Sequence, residues 1–289
     1  MIKKSIILTF LALLTFGLNA QDTGKGKKTW EFDLYGKDYF YKSRPTIDIT
    51  YGASKISLKN SGVNFNDAGL IEVKLGYTYL GKSKYSKSIS RFESNFLYGS
   101  YISSKINAKK ISGAEDKTWR FGIGNANGYG YMLGKKSSLV LYNSNSFTWT
   151  RYQSGIGQTS ITDNFDKPKD VFERSLRFGT TTEAGIIVPI AGFVNLQAQY
   201  DRTIVFPRHL FWKHLGSMMV EAIGQSAIDG FMKAIMKSSP TAGPILNFIL
   251  KNALSYGIYE LRREKMNWPF NSAEPLIFES FKAGFTFTF

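Results

Sequence analysis

The sequence predicts an all-β membrane protein: an antiparallel up-and-down β-barrel of about eight strands, with a helical hairpin inserted before the last strand. Three observations carry that expectation. From residue 45 to 206, aromatic and branched residues alternate with polar or small ones, the period-two pattern of strands. The connections between these runs are long and short by turns, which an even-numbered barrel with both termini on one side requires. Beyond the N-terminus, no apolar run is long enough to cross a bilayer as a helix. Composition narrows the field further, because a chain of 289 residues without cysteine holds neither a disulfide framework nor a Cys-ligated metal.

At the start, Lys3 and Lys4 precede an apolar stretch from Ser5 to Phe16, and Leu18-Asn19-Ala20 offers small or neutral residues before Gln21. That is the order of a signal peptide over 1–20, cleaved after Ala20. With no Cys near that point, a lipid anchor is not expected. Cleavage takes two lysines and no acid from a net charge of +15, so the exported chain stays basic. Residues 21–44 mix Lys25, Lys27, Lys28 and Lys42 with Trp30, Phe32, Tyr35, Tyr39, Phe40 and Tyr41. They read as an N-terminal periplasmic segment, with an extra strand on Trp30/Phe32/Leu34 or a lead-in to the first barrel strand as the other readings.

Strands one to seven fall within 45–206. The clearest covers 69–80, where Ile71, Val73, Leu75, Tyr77 and Tyr79 share one face and Glu72, Lys74, Gly76 and Thr78 the other. The same rule gives Ile47/Ile49/Tyr51, Phe92/Phe96/Tyr98/Ile102, Trp119/Phe121/Ile123, Leu139/Leu141/Phe147/Trp149, Leu176/Phe178/Ala184/Ile186/Val188 and Val194/Leu196/Ala198/Tyr200. Short connections fall second, fourth and sixth, at Gly81 to Ser86, Gly134 to Lys136 and Ala191-Gly192. A soluble β-sandwich has no reason to sort its loops by parity in this way.

The eighth strand, 277–289, places Phe281, Ala283, Phe285, Phe287 and Phe289 on one face and Lys282, Gly284, Thr286 and Thr288 on the other. Here the chain resembles the bacterial outer-membrane β-barrel superfamily, whose last strand alternates aromatics and ends in Phe. The resemblance covers architecture from 45 to 289 and names no particular member. It implies a Gram-negative outer-membrane address, with Phe285, Phe287 and Phe289 as the signal that the barrel-insertion machinery reads.

With the aromatic face in lipid, the inward ionisable residues are Asp48, Glu72, Lys74, Arg91, Glu93, Arg120, Arg177, Glu183, Asp201 and Lys282. Five bases and five acids in a narrow lumen read as a network of mutually paired charges rather than a selective conduit. The surplus of lysines then lies outside it. Lys82, Lys84, Lys87, Lys135 and Lys136 crowd the short turns, against headgroups, while Lys105, Lys109 and Lys110 in a long loop face lipopolysaccharide phosphates. Nucleic acid is not an expected partner. Asn125, Asn127, Asn143 and Asn145 interrupt the lipid face, with 125 expected opposite 145 and 127 opposite 143. Three explanations stand: a hairpin turn at Asn127-Gly128, a face switch at a bulge, or cover by a partner.

Residues 207–276 form the helical insertion. Within 208–237 polar residues recur every fourth place, at Lys213, Ser217, Glu221, Gln225, Asp229, Lys233 and Lys237. That pattern describes a helix wetted along a narrow band and covered elsewhere. Ser238-Ser239-Pro240 and Gly243-Pro244 break the chain, and a second helix runs from Ile245 to about Leu261. Phe211, Trp212, Met218, Met219, Phe231, Met232 and Met236 are the candidate partner-binding residues, since methionine-rich surfaces adapt to varied partners. The hairpin either caps the barrel, docks on another outer-membrane or envelope protein, or lies flat in the outer leaflet. Loop parity makes it extracellular, or periplasmic if the strand count differs by one.

Nothing points to catalysis. His209 and His214, five apart, diverge by about 140° on a helix, which spoils a shared metal site. Ser217 or Ser226 beside them would make only an improvised dyad, and Gly122-Ile123-Gly124 lies within a strand pattern, so it is no dinucleotide loop. The expected function is a non-enzymatic, cofactor-free structural or accessory subunit of an envelope assembly, with a narrow transporter or channel gated by the hairpin as the alternative.

Overall fold

Strand β1 (Arg44–Leu58) pairs on one edge with β2 (Ala68–Lys82) and on the other with β8 (Leu276–Thr288), both antiparallel, so that Ile47 lies between Leu75 and Phe287. That double pairing closes the sheet. In this computed structural model, which describes residues 43–59, 65, 67–106, 116–134, 137–153, 171–173 and 175–289, the intervening strands follow in chain order. They are β3 (Ile89–Ser103), β4 (Lys117–Met132), β5 (Ser138–Gln153), β6 (Leu176–Ala191) and β7 (Val194–Val205), and the result is a closed eight-strand barrel. The signal peptide, most of 21–44, and Lys109, Lys110, Lys135 and Lys136 lie outside the described residues.

Closure removes every open sheet edge, and strands of 12 to 16 residues exceed the roughly 9–11 that a tilted membrane strand needs. The short turns lie at one end of the barrel and the long connections at the other. Gly192 makes the tightest turn possible, since its φ of +55° is open to glycine at no steric cost. β4 runs unbroken through Asn127-Gly128, pairing Asn127 with Asn143 and Asn125 with Asn145. Neither a hairpin nor a register slip interrupts that ladder.

Alternation sets the faces. Ile49, Val73, Leu97, Phe121, Ile123, Leu196, Phe281 and Phe285 point outward and are exposed, which in lipid is the solvated state of an apolar side chain. β3 corrects the expected face. Phe92, Phe96, Tyr98 and Ile102 turn inward, whereas Arg91 and Glu93 turn outward and pair with each other. The physical reason is that the lumen near the short turns is packed with rings, Phe92 against Tyr142 and Phe96 against Tyr98. Where both sides of a strand are apolar, hydrophobicity does not say which is inside. Arg91, third in its strand, lies at the short-turn end of the barrel.

The insertion forms α1 (Phe211–Ser238) and α2 (Gly243–Glu264), joined by a 3₁₀ turn over Pro240–Ala242. It caps nothing. α2 packs on the outer wall across β7, β6, β5 and β4, and α1 packs on α2. The hairpin leaves the long-loop end after β7, and its tip reaches the short-turn end, where Tyr131 Oη donates to the Thr241 carbonyl at 2.7 Å. There Met232 and Met236 bury Ile89 and pack beside Tyr129 and Tyr131. At the opposite end Tyr259 packs with Ile204, Phe206, Met266 and Ile277. The two helices therefore run the height of the barrel along its outside.

Candidate functional site: the filled lumen and the covered wall

Inside, the barrel is closed in three layers. At the long-loop end, inward residues Ile56, Leu58, Leu70, Ile102 and Phe278 cluster with Tyr152 and with Phe172 from the β5–β6 connection. At the short-turn end, Phe92, Ala126, Val140, Tyr142 and Ile187 fill the bore. Between them lies the charge network.

Lys282 is its centre. Its Nζ lies 2.5 Å from Glu72 Oε1, 2.8 Å from Asp201 Oδ2 and 3.1 Å from Glu183 Oε2. Lys74 Nζ reaches Glu183 Oε1 at 2.7 Å, donates to Gln199 Oε1 at 3.2 Å and lies over the Phe96 ring. Arg120 approaches Asp201 at 3.8 Å, donates to Thr203 at 2.7 Å and stacks over Phe278. Tyr142 donates to Glu183 at 3.0 Å. Strand parity explains why these meet: Glu72, Lys74, Arg120, Glu183, Asp201 and Lys282 all occupy inward positions near mid-strand. Charges this deep persist because each faces its opposite at contact distance. Glycines make the room, since a Cβ at Gly185 would lie 2.2 Å from Tyr142 Cζ.

Of the ten sequence-expected lumen charges, these six share one cluster. Asp48 points inward beside a cavity of ≈ 20 Å³, lined also by Gln197 and Thr286 and with room for about one water. Arg177 has inward parity but stays at the rim, donating to the backbone carbonyls of Pro207 at 2.6 Å and Val171. Arg91 and Glu93 lie outside, as described above. Tyr98, Tyr142, Gln199, Thr181 and Thr203 complete the network and carried no sequence signal beyond their parity.

The outer wall holds a second polar cluster. The buried residues of α2 include Asn247, Lys251, Ser255, Tyr259 and Arg262 beside the apolar Ile258, while its exposed residues include Ile245, Ile249, Tyr256 and Leu261. α1 turns its polar band to the same seam. Arg262 donates to Ser217 Oγ at 3.1 Å and to Glu221 Oε2 at 2.7 Å, Gln225 donates to Ser255 at 3.1 Å, and Lys251 pairs with Asp229 at 2.7 Å. This inverts the sequence expectation for the middle of α1 only. The middle of the spacing-four band, Ser217, Glu221 and Gln225, is on the covered side of the helix, whereas Lys213, Asp229, Lys233 and Lys237 are exposed as a wetted band would be, along with Trp212, Met219, Ile223 and Phe231.

On the barrel side of the seam, Asn143 points outward yet is only 4% exposed, beneath the region that α2 covers. Asn127 and Asn145 are half-buried and Asn125 is exposed. The polar patch is thus covered in part by the chain's own helix. Arg202, outward on β7, lies over the rings of Tyr200, Tyr256 and Tyr259, and Tyr259 donates to Glu279 at 2.8 Å. Arg202 and Glu279 were missed in the sequence. The signal was available, because an ionisable residue at outward parity in a lipid-facing strand needs something to cover it.

The partner-binding candidates divide accordingly. Met232 and Met236 are buried on the barrel, Phe211 and Met218 are half-buried, and Trp212, Met219 and Phe231 remain exposed. Of the residues expected to carry the insertion signal, Phe285 and Phe289 are exposed and Phe287 is half-buried, all at outward parity in or just after β8.

His209 precedes α1 rather than lying on it, so the helical separation expected for the histidine pair does not apply. The two rings meet at 5.5 Å between centroids, among Phe178 and Phe206. Burial pushes the His209 pKa below its ordinary value. Ser217 is enclosed between the helices, accepting from Arg262. Among the described residues, no group of three or more His, Cys, Asp or Glu could hold a metal ion.

No family model and no curated protein matches the chain. Among solved structures, a crystal structure of neisserial surface protein A is similar over 85% of this chain and 97% of its own, at 11% identity and a TM-score of 0.38. A likeness at that level carries no argument about function, and the eight-strand closure rests on the chain's own pairing.

Proposed function

We propose that this is a closed, non-enzymatic outer-membrane barrel, exported with a cleaved signal peptide, that serves an envelope assembly as a structural or accessory subunit through its outer wall. One observation carries the reading. The lumen is occupied at three levels by side chains, while the exposed apolar surface of α1 lies outside. A barrel with a filled bore has its outside left to work with. Lipid and lipopolysaccharide surround it, the insertion machinery reads Phe285, Phe287 and Phe289, and a second envelope protein meets the helices. The transporter alternative needs the hairpin at the mouth as a gate, and α2 instead packs on the wall.

The test is gentle detergent extraction from the native membrane, then size-exclusion chromatography with mass spectrometry of what co-elutes. One stoichiometric envelope protein, lost when 208–263 is deleted from a barrel that still folds, is the expected result. Elution alone, with stepwise conductance in planar bilayers, would overturn it in favour of the transporter.

A further inference from the structure

Taken singly, neither helix of the hairpin is long and apolar enough to cross a membrane. That measure counts every residue of a helix, including those which this fold encloses. Glu221, Gln225, Lys251, Ser255 and Arg262 lie in the seam between α1, α2 and the barrel wall. What remains outside is different in kind. Along α1 the exposed residues from Met219 to Ala227 are Met219, Val220, Ala222, Ile223, Ser226 and Ala227.

Charges bound that face at both ends. Lys213 stands at one, and Asp229, paired with Lys251, then Lys233 and Lys237 at the other. The interval from Lys213 to Asp229 spans about 24 Å at the helical rise of 1.5 Å per residue, close to the roughly 25 Å apolar band of a membrane barrel. Along α2, Ile245 to Glu260 gives about 23 Å by the same rise. The exposed helical face also continues the exposed girdle of Phe121, Ile123 and Leu196 on the strands that α2 crosses.

We propose that α1 and α2 cross the bilayer beside the barrel, as a helical hairpin whose polar stripe is sealed against the strands and whose outer face is solvated by lipid acyl chains. Asn127, Asn143 and Asn145 are the barrel's half of that polar seam. The 3₁₀ turn at Pro240–Ala242 then emerges on the side opposite the hairpin's two ends. This rests on the membrane address proposed above but not on a protein partner.

The chain has no cysteine, so single-cysteine variants report position cleanly. Ile223→Cys and Ile249→Cys probe mid-helix, Thr241→Cys the tip and Asn271→Cys the long-loop end. Each is purified, checked for heat-modifiable gel migration and reconstituted into phosphatidylcholine vesicles, with Met219→Cys and Phe231→Cys as replacements for any that fail to fold. The expected result is no labelling of the mid-helix sites by a charged maleimide, with quenching of a fluorophore placed there by lipid carrying a mid-chain nitroxide. Tip and long-loop sites label from opposite vesicle faces. Labelling at Ile223→Cys as fast as at Asn271→Cys would overturn the proposal, and so would an unlabelled, unquenched site, which means cover by a second copy of the chain. Because only purified protein is present, failure here is separable from failure to find an envelope partner.

Discussion

Arg262 on α2 donates to Glu221 on α1 at 2.7 Å and to Ser217 at 3.1 Å, and all three are turned away from the surface of the hairpin. The helices are held by polar contacts and face outward with apolar ones. Arg262→Met leaves the Glu221 carboxylate enclosed without its partner, at a cost of about 3 kcal/mol to helix pairing. Limited proteolysis in detergent should cut Arg262→Met within 211–264 much faster than the parent, with barrel migration on gels unchanged. Equal cutting rates would show that the seam does not hold the helices.

Lys282 contacts three carboxylates at once. Lys282→Met leaves Glu72, Glu183 and Asp201 facing one another with only Lys74 and Arg120 near, and should destabilise the barrel by about 3–5 kcal/mol. The urea midpoint of refolding into lipid vesicles measures it. Adding Asp201→Asn should recover part of the loss, because the two changes act within one network and are not additive. A Lys282→Met barrel as stable as the parent would mean the network is not structural.

Gly185 admits the Tyr142 ring, whose hydroxyl holds Glu183. Gly185→Val should cost about 1–3 kcal/mol through overpacking. Pairing it with Tyr142→Phe should leave the loss in place, since the clash is with the ring, whereas Tyr142→Ala should relieve it. Thermal unfolding followed by gel migration distinguishes the two.

Burial favours the neutral form of His209, so the unfolded chain takes up the proton more readily. Stability of the long-loop end should therefore be undiminished above the usual histidine pKa of about 6.5 and fall as pH drops below it. His209→Gln should flatten the His209 share of that dependence in hydrogen exchange of the segment 206–214. An unchanged pH profile would assign the effect to other groups.

How much of this was legible follows residue by residue. Ile71 to Tyr79 gave both existence and facing of β2, since its faces differ sharply in polarity. β3 gave existence only, because Phe92, Phe96 and Tyr98 fill the bore with the same chemistry that elsewhere faces outward. The spacing of Ser217, Glu221 and Gln225 defined a helix and its two sides, yet periodicity says nothing about which side meets protein. That depends on whether the medium is water or hydrocarbon. The asparagines announced an anomaly in the wall without naming its cover, which came from a segment more than a hundred residues away in sequence.

Closure between the first and last strands also fixes an order of events. Ser54 meets Ser280 across 226 positions of sequence, so the ring is completed only after nearly the whole chain is available. Contacts of such separation are slow to form. Until β1 and β8 pair, the sheet keeps two open edges, each a row of unpaired backbone groups. A chain that loses either terminal strand is therefore left with raw edges and no ring.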